Sequence, residues 1–254
     1  MRRLLEVRRQ TVKERAVAVA EGVRLVEDVV ASGLWPEALF FCSELGGWER
    51  AAPMVARLDG GGVPCLPLGA DLFRSLSSTR TPQAVMALVP VAWASPDAVC
   101  QPDPALVVLP AEVQDPGNLG AVVRVADAAG ATGVVVAAGT ADPFGDKALR
   151  GSAGSAFHLP VSRLPTWAAA HKELWTRGLR QLVATPAGGR SYLEVDFREP
   201  VALWLGNEGA GVRVPVGDGL EPVSIPMSVR TESLNVAAAA AVLLFEARRQ
   251  RLVG

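Results

Sequence analysis

Two α/β units in tandem, the second built on an open parallel sheet, are what this sequence predicts. Three observations carry the prediction. Short apolar runs alternate with stretches of helical periodicity along most of the chain. A Pro-rich polar segment interrupts them before the midpoint. Beyond it, runs such as Gly133 to Ala138 are apolar throughout, as in strands buried on both faces of a parallel sheet. With 254 residues, 50% hydrophobic and 20% charged, the chain can bury one large core or two modest ones.

Between Ala16 and Gly33 the residues Val19, Val23, Val26, Val29 and Val30 recur at roughly helical spacing, and Ser32-Gly33 stops them, so one helix is expected. Ala38 to Cys42 reads as a buried strand, Ala51 to Leu58 as a helix, Val63 to Leu66 as a short strand and Ala84 to Val91 as another. These make a small α/β sandwich. Trp93 to Pro104, with Ala-Ser-Pro-Asp and Gln-Pro-Asp-Pro, has linker composition, which puts a first domain at 1–98 and a second at 104–254. In the second, a strand at Ala105 to Pro110, a helix at Gly117 to Ala129 and a strand at Gly133 to Ala138 form a βαβ unit. Asp146 to Ser152, Thr166 to Arg177, Gln181 to Ala184 and Val201 to Leu205 continue the alternation, and Ser233 to Arg249 closes the chain as a long helix. Ligands of such sheets sit beyond the carboxyl ends of the strands.

A formal charge of −1 carries no global nucleic-acid signature. The first fifteen residues differ: Arg2, Arg3, Arg8, Arg9, Lys13 and Arg15 against Glu6 and Glu14 leave +4 (six less two). That arm is either a phosphate-binding one or a solvated helix face. Cys42, Cys65 and Cys100 are odd in number and far apart, and His158 and His171, distant from each other in sequence, read as structural or surface residues. Neither a metal site nor a hydrolase triad is indicated, and reduced thiols in a cytoplasmic protein are expected. The longest apolar run, Val236 to Phe245, is half of the roughly 20 residues that span a bilayer, and Met1-Arg2-Arg3-Leu4-Leu5 leads into charge. No membrane partner is expected.

The segment Gln114-Asp115-Pro116-Gly117-Asn118-Leu119-Gly120 is a Gly/Pro turn opening a helix. Asn118 sits near the helix start, where its amide caps the turn or orients a neighbour. Arg124, six residues on, is roughly 240° away at 100° per residue. Its neighbours Val122, Val123, Val125 and Ala126 suggest a buried guanidinium, which needs an anion: Glu208, Asp127 or a ligand phosphate. Two later loops, Gly206-Asn207-Glu208-Gly209 and Pro226-Met227, follow strands. They are either ordinary turns or places where backbone approaches a flat ligand, with Ile225, Met227 and Leu234 as apolar walls. Ser233 and Asn235 open the last helix, with Ser233 read as its cap or as a site residue. Gly206, Gly209 and Gly211 have the spacing G-x-x-G-x-G, not the dinucleotide fingerprint G-x-G-x-x-G, and no Lys-Ser/Thr follows a glycine run as a phosphate loop requires.

Taken in order, the segments 114–130, 205–211 and 225–236 resemble the SpoU/TrmH family of SPOUT methyltransferases, which move a methyl group from S-adenosylmethionine to a ribose 2′-hydroxyl of RNA. Gly139 to Phe144, Lys147 to Gly154 and His158 to Val161 resemble the family between its first two motifs. In the first domain, Ala20 to Glu27 and Thr81 to Val85 are similar to the ribosomal-protein-like RNA-binding domain that many members carry. The resemblance implies a trefoil knot at the carboxyl end, a feature general topology rules make rare, and a homodimer packed through it. It implies Arg124 as the catalytic arginine, with Asn118, Glu208, Ser233 and Asn235 shaping the site. Leu205, Gly206, Ile225, Met227 and Leu234 would line the cofactor pocket, and Arg8, Arg9, Lys13 and Arg150 would meet RNA. Ribosomal RNA is the expected substrate ahead of transfer RNA, and no metal is expected. A non-catalytic RNA-binding module of this fold is the alternative from another class. Val229 stands where the family pattern has glycine, and a β-branched residue resists positive φ.

Overall fold

The computed structural model describes residues 3, 5–6, 16–206, 219–228 and 233–253. The first sheet is built from β1 (Val17–Glu21), β2 (Ala38–Phe41), β3 (Cys65–Pro67) and β4 (Val85–Pro90), with helices α1 (Val23–Ala31), α2 (Trp48–Gly60) and α3 (Ala70–Leu76) between them. Its order is β1-β4-β2-β3. β4 runs antiparallel to both neighbours, and β2 and β3 are parallel.

The single helix expected over 16–33 is instead a strand and a helix, broken at Gly22, whose φ of 104° is open to glycine and strained for other residues. The strand was hidden because both its faces are buried. Val17 and Val19 pack with Phe40, Phe73 and Met86 on one side, while Ala18 and Ala20 join the larger core on the other. Before Glu21 at its end no polar residue marks the two-residue period, so the valines mimic a helical stripe. α3, which no sequence signal announced, covers that first face with the fully buried Phe73.

After a short helix α4 (Pro96–Val99), capped by the Ser95 hydroxyl, the second sheet begins. Its strands are β5 (Leu106–Pro110), β6 (Gly133–Val136), β7 (Val161–Arg163), β8 (Arg180–Thr185), β9 (Arg190–Ser191), β10 (Val201–Leu205) and β11 (Leu220–Ser224). Helices α5 (Pro116–Ala129), α6 (Asp146–Ser152), α7 (Trp167–Thr176) and α8 (Val236–Val253) flank them. The order is β7-β6-β5-β10-β8-β11-β9, with every pairing parallel. From β5 the chain steps outward through β6 and β7, then crosses to build the other half. The order therefore reverses between β5 and β10, and the carboxyl ends of these two strands form the crevice where such sheets bind ligands.

α5 and α8 cover one face of this sheet with Leu119, Val122, Val123 and Ala126 against Leu243, Leu244 and Ala247. α7 covers the other with Trp167, Ala170 and Leu174. On that second face Gln181 accepts from Trp204 Nε1 at 2.9 Å and donates to the His171 carbonyl at 2.9 Å, its Oε1 lying 3.0 Å from His171 Nδ1. His171 is thus a buried structural residue, as expected. α8 ends beneath the sheet, where Arg251 donates to the carbonyls of Phe197, Pro104, Ala105 and Glu199 at 2.6–2.9 Å. Among the described residues no helix is long and apolar enough to cross a membrane, and no group of His, Cys, Asp or Glu could hold a metal ion.

Candidate active site

The β5–α5 turn shows why its sequence opens a helix. Asp115 is the N-cap, accepting from Asn118 N at 2.9 Å, and Pro116 occupies the first helical position, where its missing N–H costs nothing. The cap is therefore Asp115 rather than Asn118. Asp-Pro ahead of an apolar run was the signal that could have found it. The other Asp115 oxygen pairs with Lys147 Nζ of α6 at 2.6 Å. The hydrogen bond from Lys147, then that from Asn118, holds the Asp115 carboxyl below its ordinary value.

With the cap made elsewhere, the Asn118 side chain is left to orient a neighbour. Its Oδ1 accepts from Asn235 Nδ2 at 3.1 Å, across 117 residues of chain. Asn235 Oδ1 in turn accepts from Ala237 N at 2.9 Å and Ala238 N at 3.4 Å, so Asn235 caps α8. Capping thus falls on Asn235, not on Ser233, which lies exposed before the helix. One amide pair ties the amino ends of α5 and α8 together, joining the first and last of the three motifs.

α5 is held close to α6 by glycine. A Cβ on Gly120 would lie 2.9 Å from Ser152 N and closer still to the Ala148 carbonyl, and one on Gly151 would lie 3.0 Å from the Gly117 carbonyl. Only a backbone without side chains allows this approach. Leu119, Val122, Val123 and Ala126 face the sheet. Arg124, about 200° round from Val122 at 100° per residue, projects away from it. Arg124 is exposed, contrary to the buried guanidinium expected from its neighbours. Among the described residues, the ion pairs are made by other arginines and lysines, and neither Asp127 nor another carboxylate holds Arg124.

The remaining predicted residues divide into four groups. Gly206 follows β10, and Ile225 and Met227 follow β11, all partly accessible at the carboxyl edge of the sheet, with Leu234 partly buried ahead of α8. β8 lies between β10 and β11, so these strand ends are roughly 10 Å apart at 4.7–4.9 Å per strand. Leu205 turns its side chain into the core at 1% exposure, and its carbonyl accepts from Ala111 N at 2.8 Å. Arg150 lies on α6, exposed, and reaches the first unit. Glu208, Val229, Arg8, Arg9 and Lys13 lie outside the described residues.

An all-parallel sheet, with an amide pair joining the amino ends of α5 and α8 and an exposed guanidinium farther along α5, matches known proteins along its length. Residues 105–245 match the SpoU rRNA Methylase family, and residues 2–87 match the MRM3-like substrate binding domain. The chain belongs to the SpoU rRNA methylase family. It is 39% identical over 196 residues to the 23S rRNA (guanosine(2553)-2'-O)-methyltransferase RlmP of Bacillus subtilis, covering 74% of this chain and 73% of that protein. It is 34% identical over 245 residues to the 23S rRNA (uridine(2479)-2'-O)-methyltransferase of Streptomyces viridochromogenes, covering 92% and 83%. The crystal structure of the SpoU methyltransferase AviRb from Streptomyces viridochromogenes, in complex with AdoMet, is similar at a TM-score of 0.83 and 28% identity, over 100% of this chain and 98% of that one.

Proposed function

We propose that this protein transfers a methyl group from S-adenosylmethionine to a ribose 2′-hydroxyl of ribosomal RNA, with residues 104–254 as the catalytic domain and 1–98 as the RNA-binding one. The observation that carries the reading is the Asn118–Asn235 bond at the amino end of the helix that bears Arg124. It brings motifs more than a hundred residues apart to the carboxyl edge of the sheet.

The described residues fit the cofactor. Ile225, Met227 and Leu234 are apolar and only partly covered, as the wall of a flat ring requires, and the Gly206 backbone has no side chain in the way. Bound there, S-adenosylmethionine supplies a methyl group on a positively charged sulfur, and the protein needs only to orient an oxygen toward it and manage one proton. Arg124 cannot take that proton, because a guanidinium stays charged in proteins. Its exposure suits it instead to grip the phosphate next to the target ribose and to stabilise negative charge as it grows on the 2′-oxygen. The proton leaves to water or a neighbouring acceptor. Asn118, Asn235 and Ser233 shape the site, and the role of its acidic member falls to Glu208, which lies outside the described residues.

Ribosomal RNA is preferred to transfer RNA because the relatives RlmP and the Streptomyces viridochromogenes enzyme are named for 23S rRNA. The first unit's match to a substrate-binding domain supports its RNA-binding role. The same reading places a trefoil knot around the loops after β10 and β11 and a homodimer packed through that region, in a cytoplasmic enzyme. Phe245, Leu252 and Val253 stand exposed on α8, as residues at a subunit contact would in a lone chain. Mapping 2′-O-methylation in total RNA from cells with and without the gene tests the assignment. One ribosomal site should lose its methyl group; a change confined to transfer RNA, or none at all, would refute it.

A further inference from the structure

The strongest feature that the active site does not use lies where the two units meet. Glu21 ends β1 at 7% exposure. Its carboxylate accepts from the Ser77 hydroxyl, from Ser78 N at 2.9 Å, from the Ser78 hydroxyl at 2.9 Å and from the Thr79 hydroxyl at 3.0 Å. The 77–79 segment is therefore clamped onto the strand by a buried anion. A hydroxyl has one proton and two lone pairs. Since the Ser78 proton points at Glu21, its lone pairs face outward, and Arg150 Nη1 of α6 donates to one of them at 2.7 Å.

α6 is also the helix that touches α5 backbone to backbone at Gly120 and Gly151. A second contact fixes the opposite side. Gly154, just past α6 at φ 89°, lies where a Cβ would be 3.3 Å from the Asp28 Cβ and 3.4 Å from Leu25 Cδ1 of α1. The first unit thus meets the catalytic one at a close-packed pivot on α1 and at a charge-assisted bond on the 77–79 segment. α6 stands between that bond and the helix carrying Arg124.

We propose that Arg150 is a positioning residue: through Ser78 and Glu21 it sets the angle at which the first unit presents RNA to Arg124, rather than binding an RNA phosphate itself. This rests on the reading of the first unit as the RNA-binding one, and it reassigns Arg150 from the RNA contact that the family resemblance implies.

The test measures binding of an in vitro 23S rRNA transcript to the full chain across salt concentrations, for the wild type, Arg150→Ala, Ser78→Ala, both together, and Arg150→Lys. Each single Ala variant should weaken binding about tenfold, the scale of one charge-assisted hydrogen bond. The double variant should be no weaker than either single one. Arg150→Lys should recover most of the loss, and the salt slope should stay at its wild-type value. Calorimetric affinity for S-adenosylmethionine should be unchanged in all of them. A salt slope shallower by about one in Arg150→Ala, with Ser78→Ala silent, would identify a phosphate ligand and overturn the proposal. Hydrogen exchange without RNA supplies a second readout: amides of 77–81 should lose protection in Arg150→Ala as they do in Ser78→Ala, and unchanged protection in Arg150→Ala also overturns it. If the wild type ignores the transcript while the exchange result holds, the choice of ribosomal RNA has failed and the link between the units stands.

Discussion

Arg124 and Glu21 show how much a single side chain's surroundings decide. Arg124 is solvent-exposed on a helix whose other residues are largely apolar, which frees its charge for a ligand. Arg124→Ala is expected to lower kcat by about 10²–10³, as removal of a transition-state donor does, with methyl-donor affinity intact by calorimetry. Arg124→Lys separates the two roles open to an arginine here: a clamp leaves a weaker enzyme with the wild-type pH–rate profile, whereas near-full activity with a shifted limb would reveal a base. Glu21 is the reverse case. Burial pushes its carboxyl up, but the hydrogen bonds from Ser77, Ser78 and Thr79 outweigh that and hold it below the ordinary value. A depressed folded value means the stabilisation is present above the unfolded value near 4.3 and is lost as pH falls through the folded one. Glu21→Gln should therefore melt lower than the wild type at pH 7, by about 1–3 kcal/mol for a buried acceptor with fewer bonds. The gap between the two melting curves should narrow as pH falls below the unfolded value; a gap that is the same at every pH would show that the charge is not responsible.

At the scale of elements, the site depends on helix ends and on one close crossing. Asn235 both caps α8 and holds Asn118. Asn235→Ala is expected to cost about 1 kcal/mol in thermal denaturation from the lost cap alone, together with a fall in activity; Asn235→Asp should restore the cap and, lacking the amide donor to Asn118 Oδ1, leave activity low. Recovery of activity with the aspartate would show that only the cap matters. Gly120→Ala tests the crossing. A methyl group there meets backbone of α6, which cannot swing aside as a side chain would, so the helices must part, at about 1–3 kcal/mol. Equal stability of the alanine variant would mean that α5 and α6 are not held so near.

For the whole molecule, the closing contact is Arg251. Burial lowers its pKa, yet it remains a cation surrounded by carbonyls from the chain on either side of the sheet's base. Arg251→Ala should destabilise the second unit by about 1–3 kcal/mol, since four carbonyls, two of them on the buried residues Ala105 and Phe197, lose a charged donor at once, and Arg251→Lys should fall between, because an ammonium lacks the planar fork. Chemical denaturation measures both, and a lysine variant matching the wild type would show that charge alone suffices. Assembly belongs to this scale too. Sedimentation of the full chain should give a dimer, and Phe245→Lys on α8 should shift it toward monomer if the exposed apolar residues form the contact.

Much of the second unit could be read from the residues, because a parallel sheet writes its strands as unbroken apolar runs and its helices as capped, periodic ones. β5, α5, β6, α6, α7, β8 and β10 each stand within two residues or so of their expected bounds. The first unit was less legible at its start, where β1 shows no polar face to reveal its period. Membership of the methylase family was legible as well, since it rests on local motifs in a set order. What those motifs could not express was which residues meet. Arg124's exposure, the Asn118–Asn235 pair, the transfer of the caps to Asp115 and Asn235, and the reach of Arg150 into the first unit all depend on parts of the chain brought together only by folding. Periodicity records which face of an element is buried, and it carries no information about the partner that face will find.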